Sequence, residues 1–401
     1  MEGYNKKVIM SYWTICRMKT TKKIYVKVSI IFLLGGILLF SSCEKEENQK
    51  IEANRKTLFM YLPWSSNLTN YFYNNISDLE KCITKIGLNN EKVIVFISTG
   101  STEAMMFEIV SSHGRCKREI LKKYKSPPFT TIDGITAILN DVKAFAPASV
   151  YTMIIGCHGM GWLPVYEMKV RSAPHMKMHW EYQGVPLTRY FGGLTAEYQT
   201  DIKSLASGIA NAGMKMEYIL FDDCYMSSIE VAYELKDVTK YLIGSTSEMM
   251  AYGMPYAAIG EYLLGNPDYQ SGCEEFYNFY STYEIMPCGT LAVTDCSELE
   301  NMAAIIKSIN SKYSFDKSLR GTIQRLDGYT PVIFYDFADY ITSLCNDPIL
   351  LNQFREQLNH LVPYKTHTKN FYTMAKGIIP INTFSGITTS DPSDNPMTVL
   401  K

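Results

Sequence analysis

Residues 216–235 read MEYILFDDCYMSSIEVAYEL, and residues 153–162 read MIIGCHGMGW. Each stretch begins as a short apolar run, which is typical of a strand buried in a sheet. The first run leads to Cys224 and then to a helical pattern, and the second leads to His158. A thiol and an imidazole, each at the end of a buried strand, have the chemistry of a nucleophile and its base. These stretches therefore predict both the kind of fold and the place of its reactive groups.

The chain around these stretches alternates between strand-like and helix-like segments from Thr57 onwards. The pattern predicts strands at residues 58–62, 93–98, 150–155, 218–221 and 241–245, a hairpin at 104–124, and helices at 68–86, 132–145, 200–212 and 226–235. Such alternation favours a mostly parallel sheet covered by helices on both faces. Sites in these sheets form outside the carboxyl ends of the strands, so we expect His158 and Cys224 to share one edge.

The second half of the chain has a less regular pattern. It predicts a strand at residues 290–294 and helices at 262–264, 274–283, 299–309, 335–344 and 349–361. Residues 391–401 are interpreted as a C-terminal tail that follows the folded part.

Composition and charge exclude some classes of partner. The 401 residues are 46% hydrophobic and 20% charged, which is ordinary for a globular protein with a sizeable core. The first 42 residues carry a net charge of +6 and the remainder about −7, within a total of −1. An acidic body gives no reason to propose nucleic acid as a partner.

The N-terminus has the pattern of a targeting segment. Residues 1–42 contain lysines followed by the apolar run 28–40, which is short for a membrane span and right for a signal peptide. Residues 39–43, LFSSC, resemble a bacterial lipoprotein box in which Cys43 is lipidated, although a small aliphatic residue is usual at Phe40. Met18 is an alternative start, because a leader that begins MKTTKK has a more typical length.

These features predict a protein of the bacterial cell envelope, anchored by lipid to the outer membrane. Residues 43–56 are interpreted as a tether, and EKEE at 44–47 resembles the acidic signal that sends some lipoproteins to the cell surface. A cleaved leader on a soluble periplasmic protein stays open as an alternative.

The ten cysteines form no CxxC pair, which argues against zinc-ribbon and thioredoxin-like folds. Disulfides are permitted outside the cytoplasm, but a chain of this length can build a core without them. Most of the cysteines are therefore interpreted as small buried apolar residues.

Cys224 and His158 gain significance from their neighbours. An imidazole near a thiol, and a helix that starts just after it, both favour the reactive thiolate. The backbone N–H groups of Gly159 and Cys224 are candidates for an oxyanion hole. Asp222 and Asp223 are costly in an apolar site unless they face a partner or a cleft. Taken singly, a cysteine after a strand is more often a buried apolar residue, and a histidine there is more often structural.

Together these motifs resemble the clostripain family of cysteine peptidases, whose members have a caspase-like fold. The resemblance covers about residues 57–390. It rests on His-Gly after one strand and Asp-x-Cys after a later one, and on the segments YLPWS at 61–65, IEVAYEL at 229–235, and Glu248 with GMPY at 253–256. It implies a caspase-like α/β/α sandwich with a mostly parallel central sheet.

The resemblance also implies roles for the motif residues. Cys224 is then the nucleophile and His158 the general acid/base. Asp222 matches the acid of the pocket that receives the residue before the cut, where a carboxylate selects Arg or Lys by charge pairing. Some members carry a second acid where this chain has Tyr252, so either Asp223 substitutes or the pocket is less charged.

Glu248 belongs to the same predicted substrate-binding loop as Tyr252. No metal or other cofactor is implied, and calcium, on which some members depend, is a minor expectation because no EF-hand loop is present.

Residues 163–200 lack clear periodicity and are interpreted as an insertion loop. Family members often cut themselves between the two catalytic residues, so the loop offers candidate sites for self-processing. These are Lys169, Arg171, Lys177 and Arg189. An inert surface loop is the alternative.

Two other histidine motifs are weaker candidates. His113 and Gly114 fall in the turn of the predicted hairpin, with no catalytic partner nearby. His175 and His179 have the spacing of two metal ligands on a helix, but the stretch HMKMH lacks the glutamate of a metalloprotease.

We therefore expect a lipid-anchored cysteine endopeptidase that acts on protein or peptide substrates. Two alternatives remain open. One is a catalytically silent surface lipoprotein that binds peptides or a protein partner with the same cleft. The other is a different thiol enzyme, such as an amidase or a transpeptidase.

Overall fold

The computed structural model describes residues 54–163 and 198–391. Several predictions lie outside these residues: the signal peptide 1–42, the lipidation site Cys43, most of the tether, residues 164–197 of the insertion loop with its candidate cleavage sites and His175 and His179, and the tail from 392 onwards. Within the described part, no helix is both long and apolar enough to span a membrane.

One large sheet organises the described residues, and its nine strands lie in the order β10-β8-β7-β6-β5-β1-β2-β3-β4. The strands are β1 (Asn54–Leu62), β2 (Glu91–Ser98), β3 (Glu103–Ser112), β4 (Arg115–Lys125), β5 (Ala148–Ile155), β6 (Met216–Phe221), β7 (Thr239–Gly244), β8 (Thr290–Asp295) and β10 (Tyr364–His367). The central five, from β7 to β2, are parallel. The pairs at the two edges are antiparallel.

Helices cover both faces of this sheet. They are α1 (Thr69–Ile86), α2 (Ile132–Phe145), α3 (Ile202–Asn211), α4 (Ile229–Leu235), α5 (Tyr256–Leu263), α6 (Tyr269–Ser281), α7 (Leu299–Asn310), α8 (Phe337–Leu344) and α9 (Pro348–Leu361). Two short two-stranded sheets pair β9 (Tyr335–Asp336) with β13 (Thr388–Thr389), and β11 (Asn370–Thr373) with β12 (Gly377–Pro380).

Alternation along the buried strands produces two cores, one on each face. In β1, Phe59 and Tyr61 belong to one core, whereas Leu58 and Met60 belong to the other. Successive side chains of a strand point to opposite faces, so a strand that is apolar at every position is buried on both sides. Helices α1, α5 and α6 cover the second core, and the remaining helices cover the first. The predicted α/β/α sandwich with a mostly parallel central sheet is confirmed.

The first strand begins earlier than predicted. β1 starts at Asn54 and therefore includes the last three residues of the segment 43–56 that we interpreted as a tether. Lys56 is 3% exposed, and its Nζ donates hydrogen bonds to the backbone oxygens of Leu263 (2.6 Å) and Gly265 (3.2 Å). The polar residues 54–56 do not look like a buried strand in the sequence. Lys56 can be buried there because carbonyls at and just after the end of α5 accept its hydrogen bonds.

The helix after Cys224 begins later than predicted. Helix α4 begins at Ile229, with the Ser228 side chain accepting a hydrogen bond from the Val231 N–H as its N-cap. Tyr225 and Ser227 instead donate backbone hydrogen bonds to the loop that follows β7. Cys224 is therefore separated from the helix by four residues and does not lie at its first turn.

Candidate active site

Cys224 and His158 follow two strands that are neighbours in the sheet. β5 and β6 run parallel, with Ile154 beside Leu220 and Ile155 beside Phe221. His158 follows β5 by three residues and Cys224 follows β6 by three residues. The two side chains therefore lie at the same carboxyl-end edge, where sites form in parallel sheets.

Gly159 shows how closely the two strand ends approach each other. A Cβ atom at this position would lie 2.3 Å from the backbone oxygen of Cys224 and 2.9 Å from its nitrogen. Such distances are far inside van der Waals contact, so only a residue without a side chain fits there. Gly159 thus brings the backbone that carries His158 against the peptide that carries Cys224.

The thiol of Cys224 is enclosed in this conformation. The residue is 0% exposed and belongs to the second core. Its Sγ accepts a hydrogen bond from the backbone N–H of Met249 (3.1 Å). A backbone N–H directed at sulfur stabilises negative charge on it. The same Sγ lies 3.8 Å from the Met249 carbonyl oxygen, to which the thiol donates. Both contacts hold the sulfur against the loop after β7, away from solvent.

His158 lies beside a small cavity at the same edge. The residue is 9% exposed, and its Nε2 is 3.0 Å from Oδ1 of Asn67. The cavity has a volume of about 80 Å³, and Trp64, Cys157 and Asp223 are among its lining residues. The imidazole is therefore held by the segment that follows β1, the next strand of the sheet.

The two aspartates before Cys224 have different partners. Asp222 is 1% exposed, and its Oδ1 accepts a hydrogen bond from the Met254 N–H while its Oδ2 accepts one from the Tyr256 hydroxyl, each at 2.8 Å. Asp223 accepts a hydrogen bond from the thiol of Cys157 at 3.0 Å. Asp222 therefore faces the loop after β7, whereas Asp223 lies on the side of His158.

Glu248 joins two loops near the thiol. It is 5% exposed; its Oε1 accepts a hydrogen bond from the Tyr225 hydroxyl and its Oε2 accepts one from the Met374 N–H, each at 3.0 Å. The carboxylate thus links the turn after Cys224 with the end of β11.

Tyr252 connects the loop after β7 with Asp78, an acid of helix α1. Its hydroxyl donates a 2.6 Å hydrogen bond to Asp78 of α1, and its ring stacks on Phe279 with centroids 5.0 Å apart. Burial, and then the hydrogen bond to Asp78, raise the pKa of Tyr252 far above its ordinary value, so the phenol remains neutral. Asp222 adds to the same rise in pKa. The phenol therefore lies within electrostatic range of two carboxylates.

The family assignment follows from comparison with known proteins. The model of the clostripain family matches residues 60–379. The chain belongs to the clostripain family of cysteine proteases. No curated protein matches it.

Solved structures from this family are similar in fold. Iotapain, a secreted cysteine protease of Bacteroides thetaiotaomicron, is 59% identical, with 86% of this chain and 95% of that chain covered and a TM-score of 0.79. A clostripain from the same species, in complex with the peptide inhibitor BTN-VLTK-AOMK, is 66% identical over 52% of this chain and 93% of that chain, with a TM-score of 0.51. An inactive zymogen from Parabacteroides distasonis is 24% identical, covers 86% and 93%, and has a TM-score of 0.70, which shows likeness of fold alone.

A groove much larger than the cavity beside His158 lies elsewhere on this clostripain-family protease. It has a volume of about 1320 Å³ and is lined mainly by apolar side chains of α4, α7 and α8. Its described lining residues include neither a thiol nor an imidazole. Size alone therefore does not identify an active site, and the ends of β5 and β6 are the candidate because they carry a thiol and an imidazole.

The weaker candidates do not compete with this edge. His113 has a φ of 51° and forms the turn between β3 and β4, as predicted from the hairpin pattern. Across the part of the chain that the structure describes, no cluster of three or more His, Cys, Asp or Glu side chains could hold a metal ion.

Sequence reasoning missed Asn67 and Asp78. Both lie after β1, which occupies the position between β5 and β2 in the sheet. Asn67 lies two residues after the YLPWS motif, with Ser66 between them. A polar side chain just beyond a strand end was the signal that could have identified it. Asp78 lies inside α1, where an acid is ordinarily a solvated residue, and nothing in the sequence connects it to Tyr252.

Proposed function

We propose that this protease cleaves peptide bonds with Cys224 as the nucleophile and His158 as the general acid/base. The observation that carries the proposal is the contact between the two strand ends, where a Cβ on Gly159 would lie 2.9 Å from the Cys224 nitrogen. A thiol and an imidazole on abutting backbones of adjacent parallel strands support the proposal of a cysteine-histidine pair.

The reaction follows from these groups. The Cys224 thiolate attacks the carbonyl carbon, forming a C–S bond, and the N–H groups of Gly159 and Cys224 stabilise the oxyanion. The C–N bond then breaks as His158 protonates the leaving amine. Water next loses a proton to His158 and attacks the thioester, the C–S bond breaks, and the acid product leaves with the Cys224 thiolate and the protonated His158 restored.

We propose that cleavage occurs after Arg or Lys, with Asp222 as the carboxylate that pairs with the basic side chain. Asp222 is buried and is held by two neutral donors, the Met254 N–H and the Tyr256 hydroxyl. A cation that entered this site would pair with it in a region of low dielectric. The peptide bound to the 66% identical clostripain, VLTK, ends in lysine, which supports this preference.

Tyr252 and Glu248 shape this pocket in the proposal. The neutral Tyr252 phenol stands where some family members have an acid. Asp78, which accepts the hydrogen bond of the phenol, supplies a negative charge one residue further from the pocket. Glu248 holds the turn after Cys224 against the end of β11 and so fixes one wall. Asp223, which is bonded to Cys157, contributes charge on the side of His158.

We also propose that the chain cuts itself within residues 163–200. The thiol of Cys224 is 0% exposed, so a substrate reaches it only after the surrounding chain moves. A cut beyond Leu163 would break the covalent link between the segment that carries His158 and Gly159 and the segment that carries Cys224. Lys169, Arg171, Lys177 and Arg189 are the candidate positions if the pocket accepts basic residues.

The test of the proteolytic function is a peptide panel that varies the residue before the cut, with the purified protein and its Cys224→Ala variant. We expect cleavage after Arg or Lys in the first and none in the second. Asp222→Asn should reduce kcat/KM for basic peptides by about 100-fold, because it removes a charge-assisted pair worth ~3 kcal/mol. Activity that persists in Cys224→Ala would overturn the nucleophile, and cleavage after apolar residues would overturn the pocket.

Self-processing has its own test. On a denaturing gel the wild type should separate into two fragments while Cys224→Ala stays whole. Replacing the four basic candidates in the loop by alanine should also leave the chain whole. A wild-type chain that stays intact while it cleaves peptides would contradict self-processing and leave the catalytic proposal standing.

Lipid anchoring at Cys43 remains part of the proposal for cell location. It is supported by the resemblance of residues 39–43 to a lipoprotein box, and the similar iotapain is described as secreted. Labelling with a fatty-acid analogue in a Gram-negative host should mark the wild type and spare Cys43→Ala. Protease accessibility on intact cells would then distinguish the outer surface from the periplasm.

A further inference from the structure

Asn67 lies where a third residue could act on His158. It follows β1 by five residues, within a single 3-10 turn, Ser66–Leu68, that leads into α1. The strands β6, β5 and β1 are consecutive in the sheet and parallel. Their carboxyl ends therefore present Cys224, His158 and Asn67 in that order along one edge.

The contact between Asn67 and His158 defines which nitrogen of the ring carries the proton. The Nε2 atom is 3.0 Å from the amide oxygen Oδ1, and an oxygen can only accept, so Nε2–H is the donor. A neutral imidazole holds one proton, so Nδ1 is then the basic nitrogen. The acid/base step at the thiol falls to Nδ1.

We infer that Asn67 is a positioning residue that holds His158 in the tautomer and orientation needed to exchange a proton with Cys224. This inference rests on the proposed role of His158. An amide oxygen orients the ring and stabilises the imidazolium when it forms, without the full charge of a carboxylate. Its effect on the reaction is transmitted through His158.

The other titratable groups around the His158 ring are unchanged in a variant that alters only Asn67. Tyr61, Cys157, Asp223 and Tyr198 line the same small cavity as His158, and Cys224 follows the neighbouring strand. Asp223 is the charged group among them. A change made only at Asn67 leaves all of these in place, so a shift in the pH profile reports on the Asn67 contact.

Two substitutions at Asn67 have opposite expected effects. Asn67→Ala should lower kcat by roughly 10- to 100-fold, a part of the 10²- to 10⁴-fold that a positioned general acid/base contributes, with little change in KM. Asn67→Asp keeps an acceptor oxygen and adds a charge beside the imidazolium. It should restore most of kcat and move the basic limb of the profile up by about one pH unit.

The experiment measures kcat, KM and the pH profile for both variants, with Asn70→Ala and Asn70→Asp as controls. Asn70 is exposed at the start of α1, three residues after Asn67, and its variants should behave as wild type. A merely structural role for Asn67 would lower the urea midpoint in Asn67→Ala but leave the basic limb of Asn67→Asp at its wild-type position, and that result would overturn the inference.

His158→Ala separates this inference from the proposed function. If that variant is inactive and the Asn67 variants match wild type in kcat and profile, the positioning role is wrong and the proposed function stands. If His158→Ala keeps wild-type activity, the proposed function fails, whatever the Asn67 variants do.

Discussion

Position 159 shows how one residue without a side chain holds the site together. Replacing Gly159 by alanine would drive a Cβ into the Cys224 backbone at 2.3 Å, and backbone cannot swing aside as a flexible side chain can. We expect Gly159→Ala to lower the free energy of unfolding by about 2 kcal/mol. Displacing the two strand ends should also slow labelling by a peptidyl electrophile by about 100-fold.

Gly272→Ala is the matched control for that substitution. Its new Cβ would lie 3.6 Å from the Cβ of Tyr262, within ordinary contact, and the residue is inside α6. Because alanine is the better helix former, we expect a gain of about 0.5–1 kcal/mol. Urea unfolding of both variants in the Cys224→Ala background checks the stabilities, and similar values for the two would contradict the steric argument.

Single residues were easiest to single out from the sequence where they follow directly on an apolar strand. Cys224 and His158 each follow an apolar run, so their shared edge could be inferred from one parallel sheet. Asn67 and Asp78 could not, because their relevance depends on which strand lies beside β5 and on which loop α1 contacts. Those are long-range pairings that no local pattern contains.

The loop of residues 327–334, which precedes β9, packs against the turn that follows Cys224. Asp327 is 0% exposed and accepts hydrogen bonds from the backbone N–H groups of Tyr329 (2.8 Å), Ile333 (2.7 Å) and Phe334 (2.6 Å). The Phe334 ring stacks on Tyr225, with centroids 4.9 Å apart and planes at 11°. One carboxylate therefore organises the loop that packs against the residue following Cys224.

We expect Asp327→Asn to weaken both the fold and the site. The amide offers one acceptor oxygen in place of two and presents N–H groups to buried backbone donors, which should cost about 3 kcal/mol. Loosening of Phe334 should also slow labelling of Cys224 by a peptidyl electrophile. Urea unfolding and labelling rates measure the two effects.

Asp316→Asn is the comparison, since Asp316 is exposed and only caps the short helix Lys317–Gly321. It should lose much less stability than Asp327→Asn and keep the wild-type labelling rate. Equal losses in the two aspartate variants would show that the Asp327 contacts carry no special weight.

Elements with strong local signals were predicted with good bounds. Helix α2 spans residues 132–145 as predicted, and its Thr131 cap accepts a hydrogen bond from the Gly134 N–H. The short strands β10 to β13 were missed, because two to four residues carry too little periodicity. The start of α4 was misplaced because residues 224–228 pair with the loop after β7, a tertiary contact that overrides the local helical pattern.

At the scale of the whole molecule, the order of the strands matters more than their number. β1 is the first strand of the described residues but lies between β5 and β2, near the centre of the sheet. This placement brings Asn67 to the candidate site and takes Lys56, at the other end of the same strand, to the end of α5. The alternating pattern predicted a parallel sheet, but it did not predict that β1 lies between β5 and β2. The strand order depends on how the helices pack on both faces of the sheet.

Lys56 makes the stability of the whole domain depend on pH. Burial lowers the pKa of its ammonium from an ordinary 10.5 to about 8, against the opposing effects of Glu91 and Glu217. Below about pH 8 both the folded and the unfolded chain hold the proton, and the penalty for burying the charge is fully present. Between about pH 8 and 10.5 the unfolded chain binds more protons, so this group makes the folded state more stable as pH rises.

Lys56→Met should remove that dependence, because the thioether has no proton to lose. We expect the stability difference, wild type minus variant, to rise by up to ~1.4 kcal/mol per pH unit between pH 8 and 10, in the Cys224→Ala background. Urea unfolding at pH 7, 8, 9 and 10 measures it, and tyrosine titration at the upper end cancels between the two proteins. Lys312→Met, at an exposed position, should give a flat difference. A flat difference for Lys56→Met as well would mean that Lys56 titrates alike in the folded and unfolded chains, despite the carbonyls that hold it.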